Sequence, residues 1–275
     1  IQLASSPSDY FRSAASGNWN SAATWETSPD GLSWTAATLT PTTAANTITI
    51  RNGHTVTVTT SATADQIEIA TGGVLENAST TGNRLTIADG AGDDLIIHDG
   101  GVYHVTSGLG YTNYQTISAG ATVLIQTNGI IRLGTGGSIG GGGQNGFLVT
   151  ATTYIWENGA IFDWNTTAVP GTSGVTFFPD AVATTPIFRI SAPLASVGGS
   201  TPLTVNGVLE ANANVSFTGA SDKTFRNGIT GTGNVTIAIG AGALVVDGTT
   251  ATLGGTGTIN PNANGLEIGV TSTVT

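Results

Sequence analysis

Apolar and polar residues alternate over short stretches along most of the chain. Ile48 and Ile50, Val56 and Val58, Ile67 and Ile69, and Leu85 and Ile87 each put two apolar side chains on one side of an extended backbone. The same spacing returns at Val215 and Phe217, at Val235, Ile237 and Ile239, and at Leu244 and Val246. No segment keeps the i, i+3, i+4 apolar spacing of a helix over three turns. The pattern predicts an all-β protein built from short strands.

One phrase repeats. Residues Ile67 to Leu75 read as two alternating aliphatics, a polar stretch, a glycine pair and a second apolar pair. The phrase returns at Leu95 to Tyr103, at Val123 to Ile131 and more loosely at Thr153 to Ile161. Its second glycines, Gly73, Gly101, Gly129 and Gly159, recur at nearly equal intervals. Short strands between Gly, Asn and Asp also suit a sandwich or a barrel. A steady period of about 28 favours stacked repeats. The expected fold is a parallel, right-handed β-helix (β-solenoid) over residues 46–275, about eight rounds spaced by about 4.8 Å. Ile67, Ile69, Leu95, Ile97, Val123 and Ile125 should point inward. Asn-Gly pairs, among them Asn52-Gly53, Asn128-Gly129, Asn158-Gly159, Asn206-Gly207 and Asn227-Gly228, mark bends, and a hairpin remains open at each.

Two regions interrupt the repeat. Residues 1–45 lack it and hold Trp19, Trp25 and Trp34, three of the five tryptophans. A stack of strands exposes its first edge, so this segment is expected to be a capping segment. Loops or an irregular rung protruding from the stack are expected near 134–147, around the run Gly140 to Gly143, and near 169–200, which holds Pro170, Pro179, Pro186 and Pro193.

Composition narrows the function. Charged residues make up 9% of the chain, against about 25% in typical domains. Thr, Ser, Asn and Gly must therefore keep the surface wet, and Thr does so without leaving strand conformation. A net charge of −10 argues against nucleic-acid and anionic-membrane partners. No apolar run approaches the roughly 20 residues of a membrane span. With no cysteine, disulfides, zinc-thiolate sites and thiol nucleophiles are excluded. The chain opens on Ile1 rather than Met and stops in mid-pattern at Thr275. Both ends suggest a processed, exported piece of a longer protein.

The opening carries a resemblance. Tyr10-Phe11-Arg12-Ser13 is followed by Gly17-Asn18-Trp19-Asn20, Thr24-Trp25-Glu26, Asp30-Gly31 and Trp34. Pro41-Thr42 and the run Asn46 to Val58 complete it. From its start to the neighbourhood of Leu75 the chain resembles the mature N-terminus of secreted Bacteroidetes surface proteins exported by the type IX secretion system. That resemblance implies a Trp-containing cap leading into β-helical or adhesin-like repeats, extracellular or cell-surface location, and contact with the secretion machinery during export. The sorting domain that ends such proteins has no match here.

Candidate chemistry is sparse. Gly92-Asp93-Asp94 resembles the paired aspartates of polygalacturonase-like hydrolases, where one carboxyl protonates and another activates water. Adjacent residues on a strand face opposite ways, and one repeat length away only Asp65 could supply a stacked acid. Asp89, Asp93, Asp94 and Asp99 could ligate calcium. Such nonapeptide sites need tandem copies, and one is present. A solvated acidic turn is the expectation, with no cofactor. His98 and His104 flank a Gly-Gly bend and are expected to be outward polar residues. Tyr111, Tyr114, Trp156 and Trp164 are the candidates for stacking on sugar rings. The expected function is a non-catalytic structural stalk or adhesin, with extracellular glycans or other surface proteins as partners. The alternative is a carbohydrate-binding or carbohydrate-active β-helix protein. A Thr-rich ice-binding face is a third reading, supported only by Thr47-Ile48-Thr49 and Thr55-Val56-Thr57.

Overall fold

A computed structural model of the chain describes residues 4–78, 85–106, 115–134, 153–167, 176–178, 181, 183–197, 202–240, 242–247, 252–253, 255–257, 259–261 and 266–268. These residues are all-β, with sheets that are mostly parallel and one 3-10 turn at Ala22–Thr24. They fall into two compact units: residues 1–132 with 145–155, and residues 133–144 with 156–275.

In the first unit the alternation seen in the sequence becomes inward columns. Strands Ile48–Ile50, Ile67–Ile69, Leu95–Ile97 and Thr122–Ile125 lie side by side in parallel. Their register aligns Ile48 with Ile67, Leu95 and Val123, and Ile50 with Ile69, Ile97 and Ile125. All eight side chains are buried. Each contributes about 1.5–3 kcal/mol of apolar burial. A second parallel sheet contains Thr55–Val58, Val74–Asn77 and Val102–Val105, and a third contains Ala62–Ala64, Leu85–Ile87 and Gln115–Ile117.

The glycine phrase forms the turn between the first and second sheets. Its first position is left-handed in three copies, at Gly72 (φ 73°), Gly100 (φ 71°) and Asn128 (φ 59°), while in the looser fourth copy the left-handed residue is Gly159 (φ 74°), one position later than the sequence alignment placed it. That conformation is open to Gly and tolerated by Asn. The second position has a different constraint. A Cβ on Gly73, Gly101 or Gly129 would lie 2.6, 2.5 or 2.6 Å from the carbonyl oxygen of Ile50, Ile69 or Ile97 in the neighbouring round. The turns also bond to one another: Gly53 N donates to Gly72 O, Gly72 N to Gly100 O, and Gly100 N to Asn128 O, at 3.0, 3.1 and 3.2 Å. Asn52-Gly53 and Asn128-Gly129 thus join strands of different sheets and make no hairpin.

The N-terminal segment pairs with the first strands of this unit. Tyr10–Ser13 runs parallel to Ile48–Ile50 and antiparallel to Trp25–Ser28, which pairs in turn with Thr35–Ala36. Gly17–Asn18 runs parallel to Thr55–Val58. Trp19 and Trp25 are buried edge to face, ring centroids 5.1 Å apart, and Trp25 Nε1 donates to Trp19 O at 2.8 Å. Trp34 is half-buried beneath the Arg12 guanidinium, 4.1 Å from its ring centre.

The second unit repeats the parallel pairing, with fewer residues between paired strands. Ile161–Trp164, Ile187–Ile190, Val208–Ala211 and Gly228–Gly231 form one parallel series. Leu203–Val205, Lys223–Phe225 and Leu244–Val246 form another, and Leu194–Val197, Val215–Gly219 and Val235–Ile239 a third. One expectation is corrected here. The repeat period does not hold throughout: the step from Ile48 to its partner Ile67 is shorter than that from Ile67 to Leu95, and so is the step from Leu203 to Lys223. Strand pairing sets the register, while the connections between strands vary in length. Within 169–200, Thr176–Phe177, Ile187–Ile190 and Leu194–Val197 are strands, with an irregular register between Leu194 and Val197, so of the two expectations for this stretch a plain loop is set aside. Pro186 and Pro193 stand immediately before two of them, where a missing N–H is tolerated. The run at 140–143 lies outside the described residues.

Polar side chains fix the bends between strands. Asp94 Oδ2 accepts Thr122 N at 2.7 Å, and Asn158 Oδ1 accepts Thr185 N at 2.8 Å. Asn214 Oδ1 accepts Asn234 N, and Asp222 Oδ1 accepts Ala243 N, both at 2.9 Å. In each case a short Asn or Asp side chain satisfies a backbone donor of the following round.

Candidate acidic and ligand-binding sites

The four candidate calcium ligands separate. Asp89 and Asp99 are exposed, Asp93 is half-buried and Asp94 is buried. Asp99 lies beyond strand Leu95–Ile97 from the other three and accepts a bond from Asn128 Nδ2 at 3.2 Å. Asp94 stabilises a bend: its Oδ1 accepts Gly90 N at 2.6 Å while its Oδ2 holds Thr122 N. Among the described residues no three His, Asp or Glu side chains form a group that could hold a metal.

The acid that does come to Asp94 is Asp65. Gly90 has Asp65 Oδ2 and Asp94 Oδ1 against the same face, where its Cβ would stand. Asp65 follows strand Ala62–Ala64 and is 8% exposed, and its Oδ1 is buried without a hydrogen-bond partner. Burial pushes its carboxyl above the usual range; a bond from its own backbone N–H opposes this in part, and the charge of Asp94 adds a smaller upward push. The next residue, Gln66, is left-handed (φ 54°), and its Nε2 donates to Ala91 O at 2.5 Å.

The two tryptophan candidates are occupied by packing. Trp156 and Trp164 are 4% and 0% exposed, which corrects their expected place on the surface. Trp156 meets Phe178 edge to face at 4.7 Å, and Trp164 joins Phe162, Phe177 and Phe188 in an aromatic core. Neither offers a ring face to a sugar. Tyr111 and Tyr114 lie outside the described residues. His98 and His104 each face a neighbouring strand rather than each other: His98 Nδ1 lies 2.9 Å from Gln126 and its Nε2 3.4 Å from Glu68, while His104 Nδ1 is 3.7 Å from Glu76.

Sequence reasoning missed Lys223. It is the only lysine of the chain, yet it is 1% exposed and stands in register between Leu203 and Leu244. Its ammonium donates to Ser221 O at 2.8 Å. Burial lowers its pKa, and the charge of Asp222 partly offsets this. The alternation Lys223-Thr224-Phe225 was the available signal, because it puts Lys223 on the same side as a core phenylalanine.

Open grooves occur among the described residues. One, of about 370 Å³ in the second unit, is lined by Thr167, Pro193, Asn214, Ser216 and Thr236. Another, of about 520 Å³ in the first unit, runs past Asn20, Thr40, Thr43, Ser61 and Thr63. No helix among the described residues is long and apolar enough to cross a membrane. No family model matches the sequence, and no curated protein matches it well enough to suggest a relative.

Proposed function

We propose that the chain is a non-catalytic, exported β-solenoid serving as a structural stalk or adhesin at a cell surface. The observation that carries this reading is the in-register alignment of inward columns, Ile48 to Val123 and Ile50 to Ile125. Aligned rounds of this kind add about 4.8 Å per strand at little cost in sequence complexity. Crossovers between parallel strands are right-handed in about 98% of cases, which favours a right-handed coil. The left-handed and crowded turn positions and the Asn and Asp bend acceptors all support stacking. In this reading residues 1–45 cap the first round, export follows the type IX route, and partners are extracellular glycans or other surface proteins.

The second reading is carbohydrate binding, favoured by the hydroxyl and amide groups of Thr167, Asn214, Ser216 and Thr236 along one groove. A screen against pectin, alginate and neutral glycans tests both. Binding at most is expected, with no release of reducing ends or unsaturated products. Product release abolished by Asp93→Ala or Asp94→Ala would replace the structural reading with an enzyme.

A further inference from the structure

We propose that the Asp65 carboxyl keeps its proton beside Asp94, making their bend a pH-sensitive latch that tightens on mild acidification. The two carboxyls meet at Gly90, one from the connection after strand Ala62–Ala64 and one from the connection before strand Leu95–Ile97. No described Arg, Lys or His pairs with either of them. The six strands bordering the bend, 62–64, 67–69, 85–87, 95–97, 115–117 and 122–125, carry one titratable residue among them, Glu68. That side chain reaches His98 instead. The connecting residues add Asp89 and Asp93, again acids. Ionising the Asp65 carboxyl there costs desolvation first and repulsion from a neighbouring acid second, and a proton kept on Asp65 relieves both.

Hydrogen bonding says which group carries it. Both oxygens of Asp94 accept backbone N–H groups, from Gly90 and Thr122, an arrangement that suits a carboxylate. Asp65 has a buried oxygen with no donor aimed at it, and a protonated carboxyl supplies a donor of its own. The upward push on the Asp65 carboxyl agrees with this assignment.

The sign follows from linkage. Between the unfolded value of 3.8 and the raised folded one, the native state binds more protons than the unfolded state. The stabilisation is therefore complete below that unfolded value and is lost as pH rises through the folded pKa. Ionised Asp65 then loosens the bend, and the amides of Gly90 and Thr122 sense it first.

Melting of the wild type and Asp65→Asn across about pH 4 to pH 8 tests the proposal. At about pH 8 the variant is expected to melt roughly 2–4 °C higher, and the gap should close on acidification. A constant gap, or a variant that melts lower at the alkaline end, overturns the proposal. In the wild type alone, amide exchange at Gly90 and Thr122 should slow on acidification beyond the intrinsic chemical trend, and an unchanged protection factor counts against a latch. Calcium is the control. If it raises wild-type melting at about pH 8 but leaves Asp65→Asn unmoved, a cation and not a proton neutralises the pair, and the proposal fails.

Discussion

At the scale of single residues, the telling positions are those whose chemistry runs against their surroundings. Lys223 stands in a leucine column with one hydrogen bond to hold its ammonium. Its lowered pKa means that the unfolded chain binds the proton more readily, so stability should rise with pH through the window below 10.5. Lys223→Met keeps the packing and removes the buried charge. It is expected to leave stability unchanged or raise it by about 1–2 kcal/mol, and to flatten that alkaline rise, as read from denaturant melts at several pH values. A marked loss of stability would mean that the Ser221 carbonyl needs this donor. Charge hid the residue from a sequence reading, because lysines are almost always exposed. Asp94 was hidden differently: the two amides it accepts come from Gly90 and Thr122, and only the fold brings Thr122 close.

At the scale of elements, strands were far more legible than the connections between them. Ile67 and Ile69, or Leu95 and Ile97, announce their buried side by period alone, and both pairs are buried as expected. The spacing between rounds was legible only between Ile67 and Val123, where connections happen to be equally long. The prolines at 169–200 marked an irregular stretch without choosing between loop and strand, and Pro186 and Pro193 introduce strands rather than interrupt them. The repeated turn offers a sharp test because its two glycines are needed for different reasons. Gly101→Ala forces a Cβ against the Ile69 carbonyl and should cost about 1–3 kcal/mol. Gly100→Asn should cost much less, because Asn128 already holds the same left-handed position one round later. Equal costs in urea titrations would show that the two positions are not distinguished by crowding.

At the scale of the whole molecule, edges and surface groups decide how the chain meets other molecules. Strands Tyr10–Ser13 and Gly17–Asn18 occupy the open sides of Ile48–Ile50 and Thr55–Val58. Removing residues 1–45 frees those backbone groups for pairing with other chains. The truncated protein is expected to aggregate, as followed by light scattering; a monomer with unchanged melting would assign Trp19 and Trp25 some role other than covering the first round. The buried Lys223 has a consequence of a different kind. Its ε-amine is sealed beside Leu203 and Leu244, so the folded surface presents no lysine side chain to acylating reagents, aldehydes or sugar-derived glycating agents. A surface covered in hydroxyls, amides and carboxylates can be wetted, hydrogen-bonded and charged, yet it gives lysine-directed chemistry nothing to grip.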